Sequence, residues 1–543
     1  MWTPIRAPGA RRGGTFVRPW LDCAAWGGVL ACAALLLLPP RAFGGAANIE
    51  PELGGKPHEE APRPGIMAET VARDAPAAAG EAHEPPGLDP FLTDLEARTF
   101  RYFWETANPK NGLVPDRYPT PSFASIAAVG FGLTAYPIGV ERGYISRSAA
   151  QRRVLATLRF FATAENEHGF FYHFIDMQSG ARAGGSEVST VDTALLLAGV
   201  LFCESYFDSA DPLDIEIRRL TEEIYRRVDW TWAQARPPAL ALAWTPESGF
   251  LSDDWKGYNE AMLVYLLALG SPTHAVTSQA WTQWTSTYDE DWGTLYDQTY
   301  LGFAPLFGYQ YTHVWVDFRG IRDAYMREHG LDYFENSRRA TYAQRRYAIA
   351  NPKQWQGYGK NVWGLSASDG PGPGRQPYLG QERPFLQYAA RGVSLGSIVD
   401  DGTIAPTAAI SSLPFAPEIV LPAALEMYHR FGSSIYAAYG FRDAFNSSFP
   451  AADQQRSERD PRWVDPDYVG IDEGPILAMI ENYRSDLIWR VMRGNRYLRQ
   501  GLEGAGFSGG WLEDSHREAP LKVSRALARV GRSIRPEAQA HHE

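Results

Sequence analysis

Apolar and polar positions are arranged differently in successive parts of the chain. Arg6, Arg11, Arg12 and Arg18 precede an apolar run from Ala24 to Leu38. Pro39-Pro40 breaks that run, and Ala42-Phe43-Gly44 to Ala47 supplies small residues. This order predicts a signal peptide or an uncleaved N-terminal anchor over residues 1–47. Residues 48–88 are rich in Pro, Ala, Gly and Glu without apolar period, the composition of a disordered linker. A helical period sets in at Asp89 with Phe91, Leu92, Leu95, Phe100, Tyr102 and Phe103. Asp89 or Thr93 is its expected cap, and Pro109 lies beyond its end.

Helical stretches then recur near 121–140, 147–165, 189–207, 212–234, 258–270, 274–285, 313–328, 332–349, 416–431 and 475–492. Some are apolar nearly all round, as in Val191 to Phe202, which predicts helices buried among helices. Strand signals are few and short, such as Phe170 to Ile175, and no fixed-length repeat supports a solenoid. The connecting segments carry Trp244, Trp255, Trp281, Trp284, Trp315, Trp355, Trp363 and Trp463 among acids, Gly and Pro. The expected fold is all-α, an α/α toroid with long aromatic and acidic loops around a ligand cleft. It would occupy residues 89–515, followed by a charged tail over 516–543 with helical propensity from Leu521 to Val530.

Composition narrows the classes. The 17 Trp, 27 Tyr and 26 Phe among 543 residues exclude disorder throughout. A net charge of −11 argues against nucleic acid as a partner. One apolar run and a mean hydropathy of −0.31 argue against a polytopic membrane protein, and limit membrane contact to the possible N-terminal anchor. Of Cys23, Cys32 and Cys203, only Cys203 lies outside the leader, so a processed chain could form no internal disulfide. Neither a His-Glu-x-x-His motif nor a close Cys/His cluster occurs, and His168 and His173 are poorly spaced for one helical face. No phosphate-binding loop or Gly-x-Ser-x-Gly elbow is present. No cofactor or metal is therefore expected.

What remains is carboxylates among aromatics, the equipment of glycoside hydrolysis. Glu187 and Asp192 precede an apolar helix; Ser189 with Asp192 also fits a capping box, and Glu187 could be simply solvated. Tyr258-Asn259-Glu260 opens another helix, where Asn259 could cap it. There Glu260 could be a general acid with a pKa raised by burial. In Tyr311 to Arg319, His313, Asp317 and Arg319 could read hydroxyls with Trp315 as a stacking face; Asp317 and Arg319 could equally be a structural pair. Asp443 lies among aromatics and glycine, or pairs with Arg442. Asp472 and Glu473 precede Pro475, which suits a first helical position and would make Asp472 a cap.

Six stretches in one order carry a resemblance. They are Phe171 to Asp176, Ser186 to Leu196, Gly257-Tyr258-Asn259-Glu260, Trp315 to Gly320, Tyr439 to Asn446 and Gly470 to Ile476. Over about residues 89–515 the chain resembles the bacterial glycoamylase-like family, which includes endo-β-1,2-glucanases of glycoside hydrolase family 144. The resemblance implies an (α/α)6 barrel and hydrolysis of β-1,2-glucan to short oligosaccharides with inversion. It implies Glu260 as general acid and Asp443 as general base. Glu187, Asp192, Asp317, Arg319, Asp401 and Asp472 would line the cleft, with Tyr258, His313, Trp315 and Trp363 as further sugar contacts. Glu473 stands where the family often has Gln, so it could alter a subsite or take over as base. The expected partner is a glucan oligo- or polysaccharide, met by a monomer exported to the periplasm or beyond. Two alternatives are a transglycosylase on the same glucan and a non-catalytic glycan-binding protein.

Overall fold

The computed structural model describes residues 88–450 and 460–514. The leader, the linker up to residue 87 and the whole of the tail lie outside them. Two kinds of helix are present. One kind is buried on every side: Ile126–Glu141, Thr190–Tyr206, Met262–Leu269 and, over most of its length, Gly470–Ser485. The other buries one face: Leu88–Glu105, Arg147–Thr163, Pro212–Arg227 and Tyr333–Ala350. The buried helices pack on one another, Ile126–Glu141 lying between Thr190–Tyr206 and Gly470–Ser485. The half-buried Arg147–Thr163 and Pro212–Arg227 pack together outside them. Apolar faces on all sides can be satisfied only by neighbouring helices, so the pattern in the sequence sorts them into layers.

Local chemistry sets the helix starts. Ser125, Ser146 and Ser189 each accept a bond from the backbone N–H three residues on, satisfying an otherwise free donor. Asp211 caps the next helix, with Pro212 at its first position. Close approach is as specific. A Cβ on Gly199 would lie 2.1 Å from the carbonyl oxygen of Gly130, and one on Gly130 2.3 Å from that of Leu195. The two helices thus meet backbone to backbone, and only glycine fits there.

Several expected boundaries change. The stretch 313–328 is two short helices, Tyr311–Trp315 and Ala324–Glu328, with irregular chain between them. The last long helix starts at Gly470 rather than Pro475, which lies inside it, and ends at Asp486 in left-handed conformation before Leu487–Met492. The helix after Glu260 begins only at Met262; Asn259 instead accepts the Ala261 N–H in a turn. Strands are more numerous than expected. They are short antiparallel ladders in the loops, the longest being the hairpin Gly374–Tyr378 with Gln381–Phe385. Several loop tryptophans belong to the core: Trp284, Trp315 and Trp363 are fully buried. Cys203 is buried and free, its Sγ 3.2 Å from the Leu133 carbonyl. No described helix is long and apolar enough to cross a membrane.

Candidate active site

Glu260 lies in the turn leading into Met262–Leu269, 6% exposed. Its carbonyl takes a bond from the Thr312 hydroxyl at 3.3 Å. Its Oε2 has no hydrogen-bond partner among the described residues. Burial, with the nearby Asp192 charge adding to it, pushes this carboxyl up to about 7. At neutral pH a large share of Glu260 carries the proton that a general acid must give away.

Beside it stands a charged triplet. His173 Nδ1 is 2.9 Å from Glu187 Oε1, and its Nε2 is 3.5 Å from Asp192 Oδ1. Burial alone would lower the imidazole pKa, but Asp192 and Glu187 outweigh it and hold the ring at about 9. His173 is thus a cation bracketed by two acids. The expected cap is also present: Ser189 accepts the Asp192 N–H and donates its hydroxyl to Asp192 Oδ2. One residue serves the helix end and the charge cluster at once.

A second cluster gathers around Asp443. Its Oδ2 accepts the backbone N–H of Asp369 at 2.8 Å. It does not pair with Arg442, whose guanidinium donates instead to the carbonyls of Asp465 and Pro466. One carboxylate oxygen from each of Asp369, Asp443 and Asp465 lies within 4.8 Å of the other two. Asp443 also meets Asp472 in hydrogen-bonding contact, which requires a shared proton. Burial and then the Asp472 and Asp369 charges push Asp443 well above the carboxylate range. Burial pushes Asp472 to about 7. Arg117 is the cation at the edge of the group, bonding Asp369 at 2.5 Å and Asp116 at 3.2 Å.

Both clusters lie close to Tyr311. The buried Tyr311 hydroxyl is pushed well up by burial and then by the charges of Asp472, Tyr388, Glu260 and Asp192. Carboxyls from both clusters therefore converge on a single phenol.

Glu473 is 2% exposed, and its Oε2 has no partner among the described residues. Burial pushes it well above the usual carboxylate range, which favours the neutral acid. Gln has the same shape and the same charge as that acid. Glu473→Gln is expected to leave the melting temperature at pH 7 within about 2 °C of the parent. A larger fall in a thermal melt would mean that Glu473 is ionised in the fold.

Other expected site residues are placed elsewhere. His313 is wedged edge-on between Phe318 and Phe415 with its Nε2 on Ser337, and burial drives it down to about 3. It is a neutral core residue. Trp315 is fully buried, stacked on Phe131, with its indole N–H given to Thr134, so it offers no face to a sugar. Asp317 is held by Arg319 at 2.7 Å and also by Arg493, while Arg319 reaches Asp486 and lies over the Trp489 ring. The structural pair, and not hydroxyl recognition, accounts for both. Tyr258 is buried and stacked on Tyr333. Trp363 is 1% exposed. Asp401 is consumed by Arg391 through bonds of 2.7 and 2.9 Å, both side chains 1% exposed. Burial would raise Asp401, and Arg391 more than reverses it. This pair braces the site from behind, since Arg391 also donates to the carbonyls of Ser368 and Asp369.

Asp116, Arg117, Tyr311, Asp369 and Asp465, and the bracketing role of His173, were not singled out from sequence. Asp116-Arg117-Tyr118 has the alternation of charge and aromatic that marked other candidates. Asp369 had only its place in the Gly/Pro-rich segment before Gly374.

Comparison with known proteins adds a lineage to this geometry. The family profile Glycoamylase, described as "Putative glucoamylase", matches residues 252–496, a span that holds Glu260, Asp443 and Asp472. A crystal structure from Bacteroides uniformis ATCC 8492, described in the same words, is 31% identical. The match covers 79% of this chain and 100% of that one, with a TM-score of 0.69. The chain belongs to the glycoamylase family. Among its other relatives is an exo β-1,2-glucooligosaccharide sophorohydrolase (non-reducing end) of Parabacteroides distasonis, 30% identical over 453 residues, or 77% of this chain. This family member spans 58% of the length of that relative. An endo-β-1,2-glucanase of Chitinophaga pinensis, solved with sophorotriose and glucose, is 28% identical with a TM-score of 0.68, covering 79% of this chain and 100% of that one.

Proposed function

We propose that this glycoamylase-family chain is a glycoside hydrolase that cleaves β-1,2-glucan to short oligosaccharides with inversion at the anomeric carbon. The observation that carries this reading is the pairing of a half-protonated Glu260 with a separate group of acids around Asp443, both facing Tyr311. A carboxyl that holds its proton and a carboxyl pair that shares one give a single site an acid and a base. Glu260 gives its proton to the glycosidic oxygen as the C–O bond breaks. Asp443 and Asp472 hold one proton between them, and the ionised carboxyl of the pair takes a proton from the attacking water. Glu187 and Asp192, held in place by the His173 cation between them, supply acceptors to sugar hydroxyls. The relatives that act on β-1,2-linked glucosides support the linkage. The layering of all-apolar and amphipathic helices supports an (α/α)6 barrel as the scaffold. The arginine-then-apolar order of residues 1–47 supports export to the periplasm or beyond, where a monomer would meet its polysaccharide.

The test is incubation with a glycan panel, followed by chromatography and anomeric NMR. Release of short β-1,2-oligosaccharides, first seen as the α-anomer, is the expected result. Activity on starch alone would sink the reading. The pH profile has a definite sign. The acid must hold its proton, so kcat falls as pH rises through about 7, the value to which Glu260 is pushed. A rate still climbing at pH 9 would exclude Glu260 as the acid.

A further inference from the structure

A buried group of acids takes up protons unless a positive charge stands close by. Around the Asp443–Asp472 pair the further acids come from separate segments. They are Glu473 beside Asp472, Asp369 before Gly374, Asp465 opposite Asp443, and Asp116 before Arg117. Arg117 is a cation set among them, and its position is fixed by backbone. Arg117 and Tyr118 pair antiparallel with Val469 and Tyr468, the two residues before the helix that carries Asp472. The Gly470 N–H, at the start of that helix, donates to the Asp116 carbonyl at 2.7 Å. From this anchored strand the Arg117 guanidinium donates to Asp369 Oδ2 at 2.5 Å and to Asp116 Oδ2 at 3.2 Å. The Asp369 N–H in turn donates to Asp443 Oδ2 at 2.8 Å. Two bonds therefore lead from the guanidinium, through one residue, to the base.

Arg442 and Arg391 are committed elsewhere. Arg442 donates to the carbonyls of Asp465 and Pro466. Arg391 is bound to Asp401 and gives the Asp369 carbonyl a further bond. The charge of Arg117, by contrast, reaches the Asp116, Asp369 and Asp443 carboxyls, and also the buried Tyr102 phenol. We propose that Arg117 is a positioning residue for the base: it holds the Asp369 N–H on Asp443, and its charge keeps one carboxyl of the Asp443–Asp472 pair ionised for the attacking water. Burial, then the charges of Asp472 and Asp369, push Asp443 up, and the guanidinium opposes them. Burial would lower Arg117 itself, but Asp116 and Asp369 more than reverse it, so the cation persists.

In the reaction an O–H bond of the attacking water breaks. Its proton goes to the ionised carboxyl of the pair, and its oxygen bonds the anomeric carbon. At low pH both carboxyls of the pair hold protons and the rate is lost; it rises with pH as the first proton leaves the pair. Removing the Arg117 charge favours the doubly protonated pair, so this rising limb moves to higher pH. An opposite charge a few ångströms away is worth about one pH unit or more. The falling limb belongs to Glu260, whose carboxyl is governed by burial and by Asp192, and it stays in place.

This inference rests on the hydrolase reading, and the experiment separates the two. Arg117→Gln can still donate a bond to Asp369 but carries no charge. Arg117→Lys keeps the charge but not the planar fork that spans two carboxylates. With β-1,2-glucan as substrate, the rising limb of kcat for Arg117→Gln is expected about one pH unit above that of the parent, with KM unchanged. On the acid side this lowers kcat about tenfold. Arg117→Lys should return the limb to the parental pH while kcat stays below that of the parent. A merely structural role would lower kcat by one factor at every pH and move neither limb. A parental limb in Arg117→Gln would therefore overturn the proposal. A loss expressed in KM would also overturn it and make Arg117 a sugar contact. So would a limb in Arg117→Lys displaced as far as in Arg117→Gln. If Arg117→Gln does not fold, Arg117→Lys decides: lower kcat at parental KM and parental limb is expected, and kcat equal to the parent overturns the positioning role. An unmodified protein that releases no sugar would instead bring down the hydrolase reading, and this role with it.

Discussion

Glu260→Gln is expected to lose glucan cleavage by roughly 10²–10⁴-fold in kcat while binding glucan as the parent does. The amide keeps the size of the side chain, and Glu260 is about half neutral near pH 7, so its replacement adds no buried charge. The Thr312 bond runs to the backbone carbonyl and survives the change. Only the transferable proton is removed. Binding measured by calorimetry and turnover measured as reducing sugar should therefore separate. Full activity in this variant would remove Glu260 from the mechanism, and loss of binding would make it a sugar contact only.

The largest effect on stability is expected from Arg391→Met. Arg391 and Asp401 are both 1% exposed and joined by two bonds. Removing the cation leaves a carboxylate buried with only backbone N–H donors from Leu386 and Thr403. Breaking a buried pair in this way costs about 3–5 kcal/mol, much of it for the stranded charge. Denaturant unfolding measures this directly. Asp401→Asn in the same chain should return part of the loss, because it removes that charge. A single-variant loss below about 1 kcal/mol would mean that Asp401 simply takes up a proton. Because Arg391 also holds the Ser368 and Asp369 carbonyls, activity should suffer beyond the loss of folded protein.

The helices were legible because burial on all sides and burial on one side leave different periods in sequence. Thr190–Tyr206 was expected within a residue of each end, with Ser189 as its cap. Pro475 misled because proline is favoured at a first helical turn, and nothing local shows that Gly470 starts the helix. Glu260 and Asp443 stood out as acids set among aromatic neighbours. The same rule failed at Tyr311 to Arg319. A buried ion pair packed under aromatics and an open sugar cleft have the same composition, and only the long-range partners Arg493 and Asp486 distinguish them. Asp369 was missed for the opposite reason. Its neighbours Asp443 and Asp465 lie far along the chain, and its own segment is Gly and Pro, which signals a turn and nothing more. Convergence of distant loops leaves no local pattern.

The buried acids also change how the folded protein migrates in an electric field. Glu96, Glu204 and Asp465 are raised to about 8, 7 and 9, in each case by burial and then by a like charge close by. Composition gives an isoelectric point near 5.6, a value that treats such groups as ordinary acids. At that pH they are neutral in the fold and largely ionised once the chain opens. Native focusing should therefore place the folded protein above 5.6, and focusing in urea should return it to the value set by composition.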